Sequence, residues 1–86
     1  MTMGTVDVGL IGLGFIGKIH TIAYRDVPLC FDPPAVRPRL RALLRHRIDP
    51  HDPAPEAAGF ELVTSDDREF FAESLDVVDI CTPNFL

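Results

Sequence analysis

The sequence predicts an α/β fold built on a parallel sheet. Strand-like apolar runs alternate with helical segments, a glycine-rich turn follows the first run directly, and the connections are long enough for parallel crossovers. The first run, Val6-Asp7-Val8-Gly9-Leu10-Ile11, passes straight into Gly12-Leu13-Gly14-Phe15-Ile16-Gly17. A strand entering a helix through Gly-x-Gly-x-x-Gly needs glycine for three reasons. Gly12 permits the tight turn, Gly14 lets a pyrophosphate approach the backbone, and Gly17 lets the helix pack closely on the strand. The anion then rests on the free N–H groups of the helix N-terminus, where the macrodipole contributes roughly half a positive charge.

The remaining elements follow in order. Phe15 to Arg25 reads as a helix with Phe15, Ile16, Ile19, Ile22 and Ala23 on its inner side. From Asp26 to Pro38, the prolines at 28, 33, 34 and 38 predict a long irregular connection. Leu40 to Leu44 supplies the second strand, entered and left by arginines. Pro50, Pro53 and Pro55 leave room for a short helical turn around Glu56 to Ala58, capped by Gly59. Phe60 to Thr64 reads as the third strand. Ser65 or Asp66 caps a helix carrying Phe70, Phe71 and Leu75 inward, and Val77, Val78, Ile80 and Cys81 form the fourth strand. Right-handed crossovers then give a Rossmann-type sheet of order 3-2-1-4, incomplete beside the six strands of a full one. The crevice between strands one and four is its topological switch point, where the glycine turn and Thr82-Pro83-Asn84 meet.

Composition narrows the function. The chain has 86 residues, 47% of them hydrophobic, enough for one small domain of modest stability. A net charge of −5 argues against general nucleic-acid binding. Cys30 and Cys81 form no Cys-x-x-Cys unit, so neither a zinc site nor a disulfide framework is indicated and a reduced, cytoplasmic setting fits. No signal peptide is visible, and no apolar run approaches the roughly 20 residues of a membrane helix.

Basic residues are nonetheless clustered at Arg37, Arg39, Arg41, Arg45 and Arg47. An NAD site usually places an acid at the end of the second strand to accept from the ribose 2′-hydroxyl. Here Arg45 and Arg47 stand there, suited to gripping a 2′-phosphate, so NADP is expected over NAD; the alternative is a solvated basic edge. Asp49 is the nearby acid that could restore NAD binding. Gly12, Gly17 and Lys18 also fit the phosphate loop of nucleotide triphosphatases, but Ile19 lacks the hydroxyl that motif needs for magnesium. His20 reads as structural, because no carboxylate or second histidine is spaced along the sequence to make it a base or a ligand.

Taken together, Gly12 through His20, Ala23-Tyr24-Arg25 and Asp79-Ile80-Cys81-Thr82-Pro83-Asn84 resemble the N-terminal NAD(P)-binding domain of the Gfo/Idh/MocA oxidoreductases, over nearly the whole chain. The resemblance implies hydride transfer on sugars or polyols. It implies backbone contacts with pyrophosphate from Gly12, Gly14, Phe15, Ile16 and Gly17, and ribose or nicotinamide contacts from Thr82, Pro83 and Asn84. The family's Glu-Lys-Pro motif lies beyond the fourth strand, while this chain stops at Leu86 and has only Lys18. The expectation is therefore residues 1–86 as the N-terminal part of a dinucleotide-binding domain, with no substrate domain, catalytic residue or metal of its own. Its partner would be the cofactor, with self-association possible through the exposed sheet edge. A partner-binding module that keeps a degenerate nucleotide fold is the alternative.

Overall fold

The computed structural model describes residues 4–27 and 36–82. Its elements are β1 (Gly4–Ile11), α1 (Phe15–Arg25), β2 (Val36–Leu44), α2 (Ala54–Ala58), β3 (Leu62–Thr64), α3 (Asp67–Phe71) and β4 (Val77–Ile80). The four strands pair in parallel in the order β3-β2-β1-β4, the predicted topology.

Two strands start earlier than the sequence suggests: β1 at Gly4 rather than Val6, and β2 at Val36 rather than Leu40. Pro38 lies inside β2 opposite Val6 without cost, for a topological reason. Leu40 turns its carbonyl toward the β3 side, accepting from Glu61 N–H at 3.3 Å, and Pro38 two residues earlier faces the same way. β3 pairs with β2 only from Ala42 to Leu44, so the N–H that proline lacks has no strand to bond there. A bulge between Val8 and Gly9 leaves Arg41 as the extra residue in β2. Most of the irregular connection expected between Asp26 and Pro38 lies outside the described residues, as do Cys30, Pro83 and Asn84.

Helices cover both faces of the sheet. On one, Leu10, Leu13, Leu40, Leu43 and Phe60 form the core, with Tyr24 of α1 and Ala54 and Ala58 of α2 packed against it. On the other, the fully buried Phe70 of α3 lies over Gly9, where an added Cβ would sit 2.6 Å from its ring. Burying Phe70, Leu10, Leu43 and Val8 contributes about 1.5–3 kcal/mol each. Gly59, at φ 90°, closes α2 as expected, and Asp66 rather than Ser65 caps α3, its Oδ1 accepting from Arg68 N–H at 2.9 Å.

Two expectations about inward faces are overturned. Phe15, Ile16, Ile19 and Ile22 are 78%, 51%, 44% and 58% exposed, and Ala23 is also exposed. The face of α1 that meets the sheet is Gly17, Thr21 and Tyr24, spaced four and three residues apart. Gly17 decides this rotation, because its backbone presses against the Gly12 carbonyl and any bulkier stripe would hold the helix away. Phe71 likewise faces solvent, its ring set edge-on to Phe70 at 5.0 Å.

Candidate functional site

The Gly12–Gly17 turn sits where the carboxyl ends of three strands converge. Gly12 N–H donates to the Leu44 carbonyl of β2 at 2.9 Å, and Cys81 N–H, just past β4, donates to the Ile11 carbonyl of β1 at 2.8 Å. The three glycines have different surroundings. Gly12 adopts φ +91°, which disfavours side chains, and an added Cβ would meet Thr82 Cγ2 at 3.2 Å. At Gly17 an added Cβ would overlap the Gly12 carbonyl oxygen. At Gly14 it would meet nothing within 4 Å. The turn is therefore closed at both ends and open in the middle.

Gly14 is also the N-cap of α1, with no side-chain cap and no acidic residue in the first turn. The first helical bond runs from Lys18 N–H to the Gly14 carbonyl at 3.0 Å, so the N–H groups of Phe15, Ile16 and Gly17 have no intrahelical acceptor. A group that binds there must be an acceptor, and an anion fits best. A crevice of about 1190 Å³ opens over this terminus. Its walls include Gly12, Gly14, Phe15, Ile16, Arg45, Arg47 and Thr82, which brings together all the described residues singled out from the sequence except Gly17, buried beneath the turn.

Three arginines of β2 and the loop after it are engaged by acids. Arg39 forms a bidentate pair with Glu61, Arg41 Nη2 lies 3.1 Å from Glu73, and Arg45 Nη1 donates to Asp52 Oδ2 at 2.8 Å. Among the described residues Arg47 has no ion pair. Asp49 is exposed and accepts from His51 N–H at 2.9 Å. Lys18 lines a shallow groove between α1 and α2 rather than the crevice, so the lysine of a triphosphatase phosphate loop has no counterpart here.

Beneath the turn lies a polar cluster that reading along the sequence misses. His20 Nδ1 is 2.7 Å from Asp79 Oδ2, Tyr24 donates to the same oxygen at 2.9 Å, and Cys81 Sγ donates to Asp79 Oδ1 at 3.4 Å. The carboxylate that His20 lacks in local spacing is thus supplied by the fold, and the structural role expected of this histidine acquires a partner. Burial pushes the Asp79 carboxyl up, but the hydrogen bonds from His20, Tyr24 and Cys81 outweigh it and hold the carboxyl below its usual range. Burial, with Asp79 alongside, pushes the Tyr24 hydroxyl up to about 12 and the Cys81 thiol up to about 11. Ligand atoms of His20, Asp79 and Cys81 lie within 4.8 Å of one another, yet they already satisfy each other, so the group acts as a clamp between α1 and β4. The available signal was modest: His20 and Tyr24 one helical turn apart, and Asp79 and Cys81 alternating in an apolar strand.

The same fold recurs in solved structures. Levoglucosan dehydrogenase in complex with NADH superposes with a TM-score of 0.82 at 38% identity, over 93% of this chain and 22% of that one. Levoglucosan dehydrogenase of Pseudarthrobacter phenanthrenivorans is 39% identical over 85 residues, 98% of this chain and 22% of the relative. Homologues of this chain are NAD-binding oxidoreductases of the Gfo/Idh/MocA type. An NAD-binding oxidoreductase from Klebsiella pneumoniae, at 34% identity and TM-score 0.78, covers 93% of this chain and 22% of its own. The chain thus spans about a fifth of the length of the Gfo/Idh/MocA relatives it matches. No family model matches it. Among the described residues, no helix is long and apolar enough to cross a membrane.

Proposed function

We propose that this chain binds a nicotinamide dinucleotide with its pyrophosphate on the Gly12–Gly17 turn, as part of a Gfo/Idh/MocA-type oxidoreductase acting on a sugar or polyol. The observation that carries the reading is Gly14, open on every side between two crowded glycines at an uncapped helix N-terminus. The relatives agree with it, since levoglucosan dehydrogenase is known in complexes with NADH and with levoglucosan. When bound, the nicotinamide supplies or accepts the hydride. Every role assigned to this chain is a binding role: Phe15, Ile16 and Gly17 N–H groups hold the anion, and Thr82 flanks the turn across the β1–β4 switch point. We assign ribose or nicotinamide contacts to Pro83 and Asn84 on the sequence resemblance alone. Lys18, the one lysine in the chain, faces away from the crevice, so the 86 residues alone are expected to show no polyol-dependent reduction of the cofactor.

Cofactor choice is the finer part of the proposal. Arg47 at the end of β2 supports a preference for NADPH over NADH, through paired donors to the 2′-phosphate. Titration with 2′,5′-ADP and 5′-AMP tests both parts. Tighter binding of 2′,5′-ADP supports the preference, equal binding removes it, and binding of neither removes the dinucleotide reading. We further propose self-association through β4, which among the described residues pairs only with β1 and exposes Val77, Val78 and Ile80. Light scattering of the purified chain tests this, and a monomer at all concentrations would remove it.

A further inference from the structure

Asp52 has no place in the usual plan of such a site. It does not line the crevice, and it lies well beyond the end of β2, where the acid of an NAD site would stand. Each of its two oxygens is nonetheless engaged: Oδ1 accepts from Ala54 N–H at 3.0 Å, and Oδ2 accepts from Arg45 Nη1 at 2.8 Å. The Arg45 and Asp52 side chains are only 21% and 23% exposed. The Arg45 backbone is fixed as well, its N–H donating to the Thr64 carbonyl at 3.0 Å. Ala54 N–H first, and Arg45 second, hold the Asp52 carboxyl below its usual range, so the pair persists through mildly acidic conditions.

Arg45 and Arg47 both line the crevice, but only Arg45 is neutralised. We infer that Asp52 is a positioning residue that sets cofactor choice, drawing the Arg45 guanidinium away from the ribose 2′ position and leaving Arg47 to meet a 2′-phosphate alone. The inference rests on the dinucleotide reading above. An acid that contacts the 2′-hydroxyl selects NAD directly; Asp52 weakens selection for NADP indirectly, by occupying one of two available cations. A 2′-phosphate competes with a carboxylate for the same donors, and a carboxylate already held in place by Ala54 N–H competes well.

Removing the charge at Asp52 should therefore sharpen the preference for a 2′-phosphate. Asp52→Asn keeps an oxygen for Ala54 N–H, and Asp52→Ser does so in a smaller side chain, so one variant remains if the other fails to fold. Binding of 2′,5′-ADP and 5′-AMP to the full chain is measured by calorimetry. The expected result is a rise of about two- to fivefold in the ratio of their affinities, typical for releasing a partly exposed ion pair, with 5′-AMP binding little changed. Adding Arg45→Gln to Asp52→Asn should bring the ratio back to the parent value, which a purely structural role for Asp52 would not do. An unchanged ratio in variants that still bind 5′-AMP overturns the role of Asp52 and leaves the dinucleotide reading intact. Failure of the unsubstituted chain to bind either nucleotide overturns both.

Discussion

The two ends of the crevice are built differently. One end is backbone: Gly12, Gly14 and Gly17 offer no side chain, and the first N–H groups of α1 have no intrahelical acceptor. The other end is side chain: Arg45 and Arg47, just past β2, line the crevice, and Asp52, in the loop before α2, holds Arg45. Backbone recognition depends on space and dihedral angle, which a glycine pattern encodes locally. Side-chain recognition depends on which charges meet, and the fold decides that.

Substitutions at the backbone end should have the larger effects. Gly17→Ala places a Cβ onto the Gly12 carbonyl oxygen, so a change that normally favours a helix by about 1 kcal/mol should instead destabilise the chain by about 1–3 kcal/mol. A urea melt more stable than the parent would show that the turn is not pressed onto the helix. At the side-chain end, Arg47→Gln should weaken 2′,5′-ADP by about two- to fivefold while sparing 5′-AMP. Equal loss for both would place Arg47 on the shared part of the nucleotide rather than on the 2′ position.

The smallest effect is expected beneath the turn, in the clamp. Asp79 has a lowered carboxyl in the folded state, so it contributes stability above its ordinary value of 3.8 that is lost as pH falls below it. Cys81 and Tyr24 have raised values, so their contributions are complete below 9.0 and 10.0 and disappear as pH rises toward about 11 and about 12. The urea midpoint should decline at both extremes, and Asp79→Asn should flatten the acid limb specifically. An unchanged acid limb would show that Asp79 contributes nothing to the clamp.

The same contrast explains what could be read before the fold was known. Strand order, the glycine turn and the Gly59 and Asp66 caps follow from local pattern, and all appear. The inward face of α1 did not, because hydrophobicity pointed to Phe15, Ile19 and Ile22 whereas the constraint is steric and set by Gly17 against Gly12. Arg45 looked like a free cation because Asp52 seven positions on gives no sign in sequence that it turns back. The His20–Asp79 contact spans 59 positions, beyond any spacing argument.

Unfolding of the chain and of Gly14→Val in urea, with and without NADPH, tests the central claim most directly. Gly14 lies in open space, so without cofactor the two midpoints should differ only by the cost of a valine at the N-cap, about 1 kcal/mol or less. NADPH at a hundred times its dissociation constant should stabilise the parent by about 2.7 kcal/mol and leave Gly14→Val unshifted. An equal shift in both, or none in either, would contradict a pyrophosphate seated on this turn.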